Sequence, residues 1–257
     1  MANNGSGTVS LIDTAAYAEV ATVGVGILPN ELVISPDGAY AYVANAGSDT
    51  VSVIDTASFL VVATLPLSER AGPHGLAITQ DGAYLYVTHN NSSTVSVIEV
   101  ATTDTLATIQ VGRNPDRIEI TPGGAFVYVA NNGSNSVSVI DTQTYDVVAT
   151  VPVGVFPTHV AITPDGAYAY ATSRESNSVW VIETAENTVV AQIPVGTDPE
   201  GVAFTPNGAY AYVANNSSGS VTVIDTQKYA VVATVPVGRG PSGVAIAMGG
   251  AISRNPD

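Results

Sequence analysis

Val51-Ser52-Val53-Ile54-Asp55 recurs letter for letter as Val137-Ser138-Val139-Ile140-Asp141. Variants of the same five residues end at Asp13, Glu99, Glu183 and Asp225, so successive copies lie 42, 44, 42, 42 and 42 residues apart. A second landmark, Gly-Ala-Tyr, begins at Gly38, Gly82, Gly166 and Gly208, with Gly-Ala-Phe at Gly124 and Gly-Ala-Ile at Gly250. Two landmarks with one period define a repeat array, and a unit of about 40 residues narrows the architecture sharply. Between the landmarks each unit reads as four strands. In the unit 157–196, Val160–Thr163 is followed by the turn Pro164-Asp165-Gly166, and Ala167–Thr172 returns beside it. Val179–Glu183 and Thr188–Pro194 complete the set. β-Branched residues and Tyr fill these runs, and Asp-Gly marks a hairpin turn. Four antiparallel strands per unit is the blade of a β-propeller.

The ends of the chain extend the pattern. Asn3-Asn4-Gly5-Ser6 matches Asn131-Asn132-Gly133-Ser134, which places the start inside a blade. Pro241-Ser242-Gly243-Val244-Ala245-Ile246 matches the first strand of a blade. The sequence therefore predicts an all-β, six-bladed propeller in one domain, 1–257, closed by a composite blade from 1–26 and 239–257. Such a blade would remove the open sheet edge.

Composition agrees with a folded chain and excludes several partners. The 257 residues are 46% apolar and 11% charged, and the net charge is −15. Seven Lys and Arg in all cannot build a phosphate-binding patch, so no nucleic-acid partner is expected. No run approaches the ~20 apolar residues of a membrane-spanning helix. Cys is absent, which removes disulfides, Cys-based metal sites and a Cys nucleophile. The stretch Met1–Ser6 has neither a basic region nor an apolar core of an export signal. The compartment is left open: cytoplasmic if Met1 begins the native chain, extracellular or cell-surface if the native chain is longer. A monomer is expected.

Tyr42-Val43-Ala44-Asn45, Tyr86-Val87-Thr88-His89, Tyr128-Val129-Ala130-Asn131 and Tyr212-Val213-Ala214-Asn215, with the turns Ser35-Pro36-Asp37-Gly38 and Thr163-Pro164-Asp165-Gly166, resemble the YVTN-type propeller repeat. The resemblance runs over essentially the whole chain. It implies the propeller fold and kinship with surface-layer-like proteins, many of which have no assigned activity. Function has to come from the site, because propellers host many.

The repeated residues have structural readings, and the departures from the repeat carry the functional ones. Within a blade, the loop before strand one and the loop after strand two share one face, the mouth of the channel. His74, His89 and His159 all map there, as do Arg70, Arg113, Arg117, Arg174 and Arg239. The second residue after the opening Pro is Gly75, Gly201 and Gly243 in three blades but Glu31, Arg117 and His159 in the others. The residue before it is Asn30, His74, Asp116, Thr158, Glu200 or Ser242. Counting outward from the Asp81-Gly82 turn sets His74 opposite His89, unless a bulge shifts the register. Titratable groups that converge on a concavity define a candidate site.

The preferred function is a small-molecule enzyme of lyase or hydrolase type. His74, His89, His159, Glu31 and Arg117 are its candidate catalytic residues. Asp116, Arg174, Glu175, Glu200, Phe156, Asn45 and Asn131 are candidates for substrate binding. The three His could ligate a divalent metal (Zn, Mg, Ca or another) with Glu31 or Glu200. Without one, a His would serve as general base and Arg117 or Arg174 would hold a carboxylate or oxyanion. Pro73-His74-Gly75 is similar locally to the virginiamycin B lyase family, seven-bladed propellers with a Pro-His pair at the start of an inner strand; that resemblance implies Mg and an elimination. A lactonase-like Ca²⁺ site from Glu31 and the mouth Asn residues is a third arrangement. The alternative class is a non-enzymatic surface module that binds a protein partner or glycan.

Overall fold

The computed structural model describes residues 1–246. Its regular structure is β throughout, apart from one 3₁₀ turn at Asn132–Ser134. No helix among the described residues is long and apolar enough to cross a membrane. The N-terminal sheet holds β1 (Ala2–Asn3), β2 (Thr8–Asp13) and β3 (Ala18–Gly24). Five four-stranded antiparallel blades follow. The first is β4 (Pro29–Ile34), β5 (Tyr40–Asn45), β6 (Thr50–Asp55) and β7 (Leu60–Pro66). The second is β8 (Pro73–Ile78), β9 (Tyr84–His89), β10 (Thr94–Glu99) and β11 (Thr105–Gln110). The third is β12 (Pro115–Ile120), β13 (Phe126–Asn131), β14 (Ser136–Asp141) and β15 (Val147–Pro152). The fourth is β16 (Pro157–Ile162), β17 (Tyr168–Ser173), β18 (Ser178–Glu183) and β19 (Thr188–Pro194). The fifth is β20 (Pro199–Phe204), β21 (Tyr210–Asn215), β22 (Ser220–Asp225) and β23 (Ala230–Pro236).

Apolar residues of each blade pack against those of the next. Tyr86, Val95 and Val97 of the second blade meet Ile118, Val127 and Val129 of the third in one buried cluster. The hairpin turns are fixed locally. Asp37, Asp81 and Asp165 accept a backbone N–H two residues on and a hydroxyl two residues back, and the following Gly has positive φ, which L-residues with a Cβ rarely adopt. Asp55, Asp141 and Asp225, which end copies of the Val-Ser-Val-Ile-Asp landmark, cap their own turns by accepting backbone N–H groups two or three residues on.

The ring departs from the expected closure. The N-terminal sheet has three strands, and β1 is only two residues long. Residues 237–246 form no strand, and among the described residues none of them pairs with β1. Ser242 instead accepts a hydrogen bond from Gly201 N–H at 3.1 Å, alongside β20. Exposure reports the same gap. Val235 on β23 is 46% exposed, whereas its counterparts Leu65, Ile109, Val151 and Ile193 are 3–7% exposed. On the other side of the gap Ile12 is 42% exposed, against 0–2% for Ile54, Ile98, Ile140, Ile182 and Ile224. Among the described residues the closed composite sixth blade is therefore not formed: β1 is two residues long, and 237–246 lay no strand beside it. The part of that expected blade at 247–257 lies outside the described residues.

Candidate functional site

Each inner strand opens on Pro, which has no N–H to give to the ladder. The register shifts immediately after it in every complete blade, as between Pro73 and Leu76 or Pro157 and His159. These bulges reset the mouth. Pro73, and not His74, lies opposite His89, so the predicted pairing of the two imidazoles does not occur. They also free backbone N–H groups, and mouth side chains answer them. Leu76 N–H donates to Glu31 Oε2 at 3.0 Å, and Val202 N–H donates to His159 Nδ1 at 3.1 Å. Both bonds cross from one blade to the next.

A cavity of about 550 Å³ lies at the channel mouth. His74, Asp116, Arg117, His159, Arg174 and Glu200 bring their side chains to it, with Asn30 and Thr158. His74 Nδ1 stands 2.8 Å from Asp116 Oδ1, off the line of a good hydrogen bond. Asp116 at that nitrogen favours the Nδ1–H tautomer and leaves Nε2 as the basic atom. The His74 side chain is 27% exposed, so the pair is open to a ligand. Arg117 pairs with Glu31, reaching across the second blade where Gly75 has no side chain. Arg174 forks onto Asp198, with its Nη2 2.8 Å from Oδ2, and lies 3.8 Å from Glu200 Oε1. Both guanidinium groups thus already hold carboxylates.

Electrostatics sorts these groups. Burial pushes the Glu31 carboxyl above its usual range, with Arg117 opposing the shift. Burial likewise raises Glu200. The hydrogen bond from Arg174 holds Asp198 down. Burial, helped by the Arg117 charge, lowers His159 to about 4. His159 is therefore neutral at pH 7. Its Nδ1 accepts from Val202, so Nε2 carries the proton and can donate.

The other predicted residues fall elsewhere. His89 is 1% exposed, with Nε2 at 2.7 Å from Ser96 Oγ. Asn45 and Asn131 are fully buried and donate to Thr50 and Ser52, and to Ser136 and Ser138, respectively. Phe156 lies under Arg174, its ring centroid 5.8 Å from Cζ, and walls the guanidinium rather than the cavity. Glu175 is exposed and outside the cavity. Sequence reading missed Asp198, whose only signal is a carboxylate just before an opening Pro. It also missed Glu119, which replaces the Val33, Ala77, Ala161, Ala203 or Ala245 of other blades. Glu119 lines a second cavity with Val33, Leu76, Ile78 and Ile120, whose apolar wall and the Glu31 charge raise its carboxyl above the usual range although the residue remains exposed.

The donor set does not fit the metals expected. No group of three or more His, Asp or Glu among the described residues is placed to hold an ion. His89 faces Ser96, His159 Nδ1 is taken by a backbone N–H, and Glu31 by Arg117 and Leu76. Of the Asn residues of the lactonase-like arrangement, Asn45, Asn131 and Asn215 are buried inside separate blades, and only Asn30 lines the cavity.

Two family models match parts of the chain: a YNCE-like β-propeller over residues 120–209 and the lactonase seven-bladed β-propeller over residues 3–111. Each covers less than half of the sequence, and neither is the YVTN-type repeat, so the matches support the propeller fold at the coarser level. The chain is similar in structure to Kuenenia stuttgartiensis hydrazine synthase, at 26% identity and a TM-score of 0.85, covering 94% of this chain and 84% of that one. It is also similar to a functionally unknown protein from Desulfotomaculum acetoxidans DSM 771, at 20% identity and a TM-score of 0.81, covering 94% and 80%. No curated protein matches the sequence. The fold is an all-β propeller, and the seven-bladed model agrees with a ring that six sheets leave open.

Proposed function

We propose that the mouth cavity is the active site of an acid–base enzyme acting on a small carbonyl compound, by hydrolysis or by elimination next to the carbonyl. The observation that carries this reading is the His74–Asp116 pair, open to a cavity that also holds the neutral His159. His74 Nε2 would take a proton from water or from carbon, and Asp116 would stabilise the imidazolium that results. His159 Nε2–H would donate to the oxygen on which charge develops, as a neutral imidazole can. Arg117 and Arg174 shape the cavity rather than capture an anion, since Glu31 and Asp198 neutralise them. That favours an uncharged ester, lactone or β-substituted carbonyl substrate over a carboxylate.

The test is a turnover screen across those three compound classes, with and without EDTA. Activity that survives EDTA and falls by about 10²–10⁴ in His74→Ala and Asp116→Asn is the expected result. His89→Asn keeps activity, since His89 lies outside the cavity. One metal per chain, lost in His74→Ala with the fold intact, would overturn the metal-free mechanism. No turnover, with no compound moving the His74 or His159 NMR signals, would replace the enzyme by a partner-binding module.

A further inference from the structure

The penultimate residue of strand two in each complete blade is Ala44, Thr88, Ala130, Thr172 or Ala214. The segment that follows each one, a blade in the first four cases and the strandless 241–246 in the last, opens on Pro and then, in order, His74, Asp116, Thr158, Glu200 and Ser242. Thr therefore stands only where the next blade sets an acidic residue at the mouth. Contacts match the pattern. Thr88 Oγ1 donates to the backbone carbonyl of Asp116 at 2.7 Å and accepts from Gly75 N–H at 2.7 Å. Thr172 Oγ1 donates to the backbone carbonyl of Glu200 at 2.6 Å. Both Thr residues are fully buried. The carbonyls of Asn30, His74 and Thr158 receive no side-chain hydrogen bond among the described residues.

We infer that Thr88 and Thr172 are positioning residues, each fixing from the preceding blade the backbone from which a mouth carboxylate projects. The inference rests on the mouth being the functional site. Asp116 follows a Pro and precedes a bulge, so the ladder gives its backbone little restraint. The Thr88 bond adds an anchor at the Asp116 carbonyl itself, one residue on from the Pro115 carbonyl that Asn90 Nδ2 holds at 3.3 Å. Asp116 then has only its side-chain torsions free, and its carboxylate meets His74 Nδ1. Gly75 completes the arrangement. A Cβ there would stand 2.4 Å from the Asp116 carbonyl oxygen, so the two blades approach closely only at a glycine. A bond to the backbone leaves the Asp116 carboxylate unblocked for His74. Ala at the same place in three blades shows that the strand does not need the hydroxyl to form.

The test reads the site without a substrate, so it remains decisive if the turnover screen fails. Nitrogen-15 shifts of the imidazoles report which ring nitrogen of His74 carries the proton. In the native protein and in Thr88→Ser, Nδ1–H dominates. In Thr88→Ala the His74 pattern moves towards a mixture of tautomers while His89 and His159 keep theirs. In Thr172→Ala the carbon-13 titration midpoint of the Glu200 carboxyl moves and the His74 pattern does not. An unchanged His74 pattern in Thr88→Ala, failure of Thr88→Ser to restore it, or an unchanged Glu200 midpoint in Thr172→Ala would each overturn the inference.

Discussion

His89 holds the place of Asn45, Asn131 and Asn215, and like each of them it bonds the hydroxyl seven residues on. Its place at the mouth made it resemble a ligand in the sequence; its burial makes it a structural member of the blade. Burial lowers its pKa to about 4, against ~6.5 in an unfolded chain. The folded value is the depressed one, so the unfolded chain binds the proton first as pH falls. The stability His89 contributes is full above pH ~6.5 and is lost as pH drops towards 4. His89→Asn removes that loss. The variant should melt with the native protein at pH 7.5 and above it at pH 4.5, by differential scanning calorimetry; parallel profiles would contradict the assignment. His159 shows the opposite lesson. Its neutrality comes from burial and the Arg117 charge, and its tautomer from Val202 N–H of the next blade, contacts that no spacing in the sequence announces.

At the scale of the element, the blade was legible and its first turn was not. The four strands predicted for 157–196 all form, three with ends shifted by one to three residues and Thr188–Pro194 unshifted, because their periodicity and Asp-Gly turns are local properties. The bulge after each opening Pro depends on a missing N–H and on how the neighbouring blade meets the free ones. It removed the His74–His89 pairing and created the His74–Asp116 pair across two blades. Glycine at the bulge has unequal importance. Gly75 is pressed against Asp116 and Arg117, whereas a Cβ on Gly243 would meet nothing within 4 Å. Gly75→Ala should cost about 1–3 kcal/mol in urea unfolding, as overpacking does. Gly243→Ala should stay within ~0.5 kcal/mol. Equal costs would show that the mouth is looser than this packing.

At the scale of the whole molecule, each blade leans on its neighbours, and among the described residues the two faces beside the gap lack one. Such an array is stabilised by nearest-neighbour interfaces. Val151 is 4% exposed and Val235 is 46% exposed at the same place in their blades. Val151→Ala should therefore cost about 2 kcal/mol, two buried methylenes' worth, and Val235→Ala well under half of that. A similar loss in both would mean that the outer face of β23 is covered in solution. The repeat alone determined the all-β class, the blade, its turns and the face on which unusual residues gather, because these follow from period and local conformation. The tertiary structure decided whether the ring closes, which mouth residues meet and in what protonation state, and which hydroxyls brace them. Those depend on contacts between blades some 40 residues apart and on burial that the blades create only together.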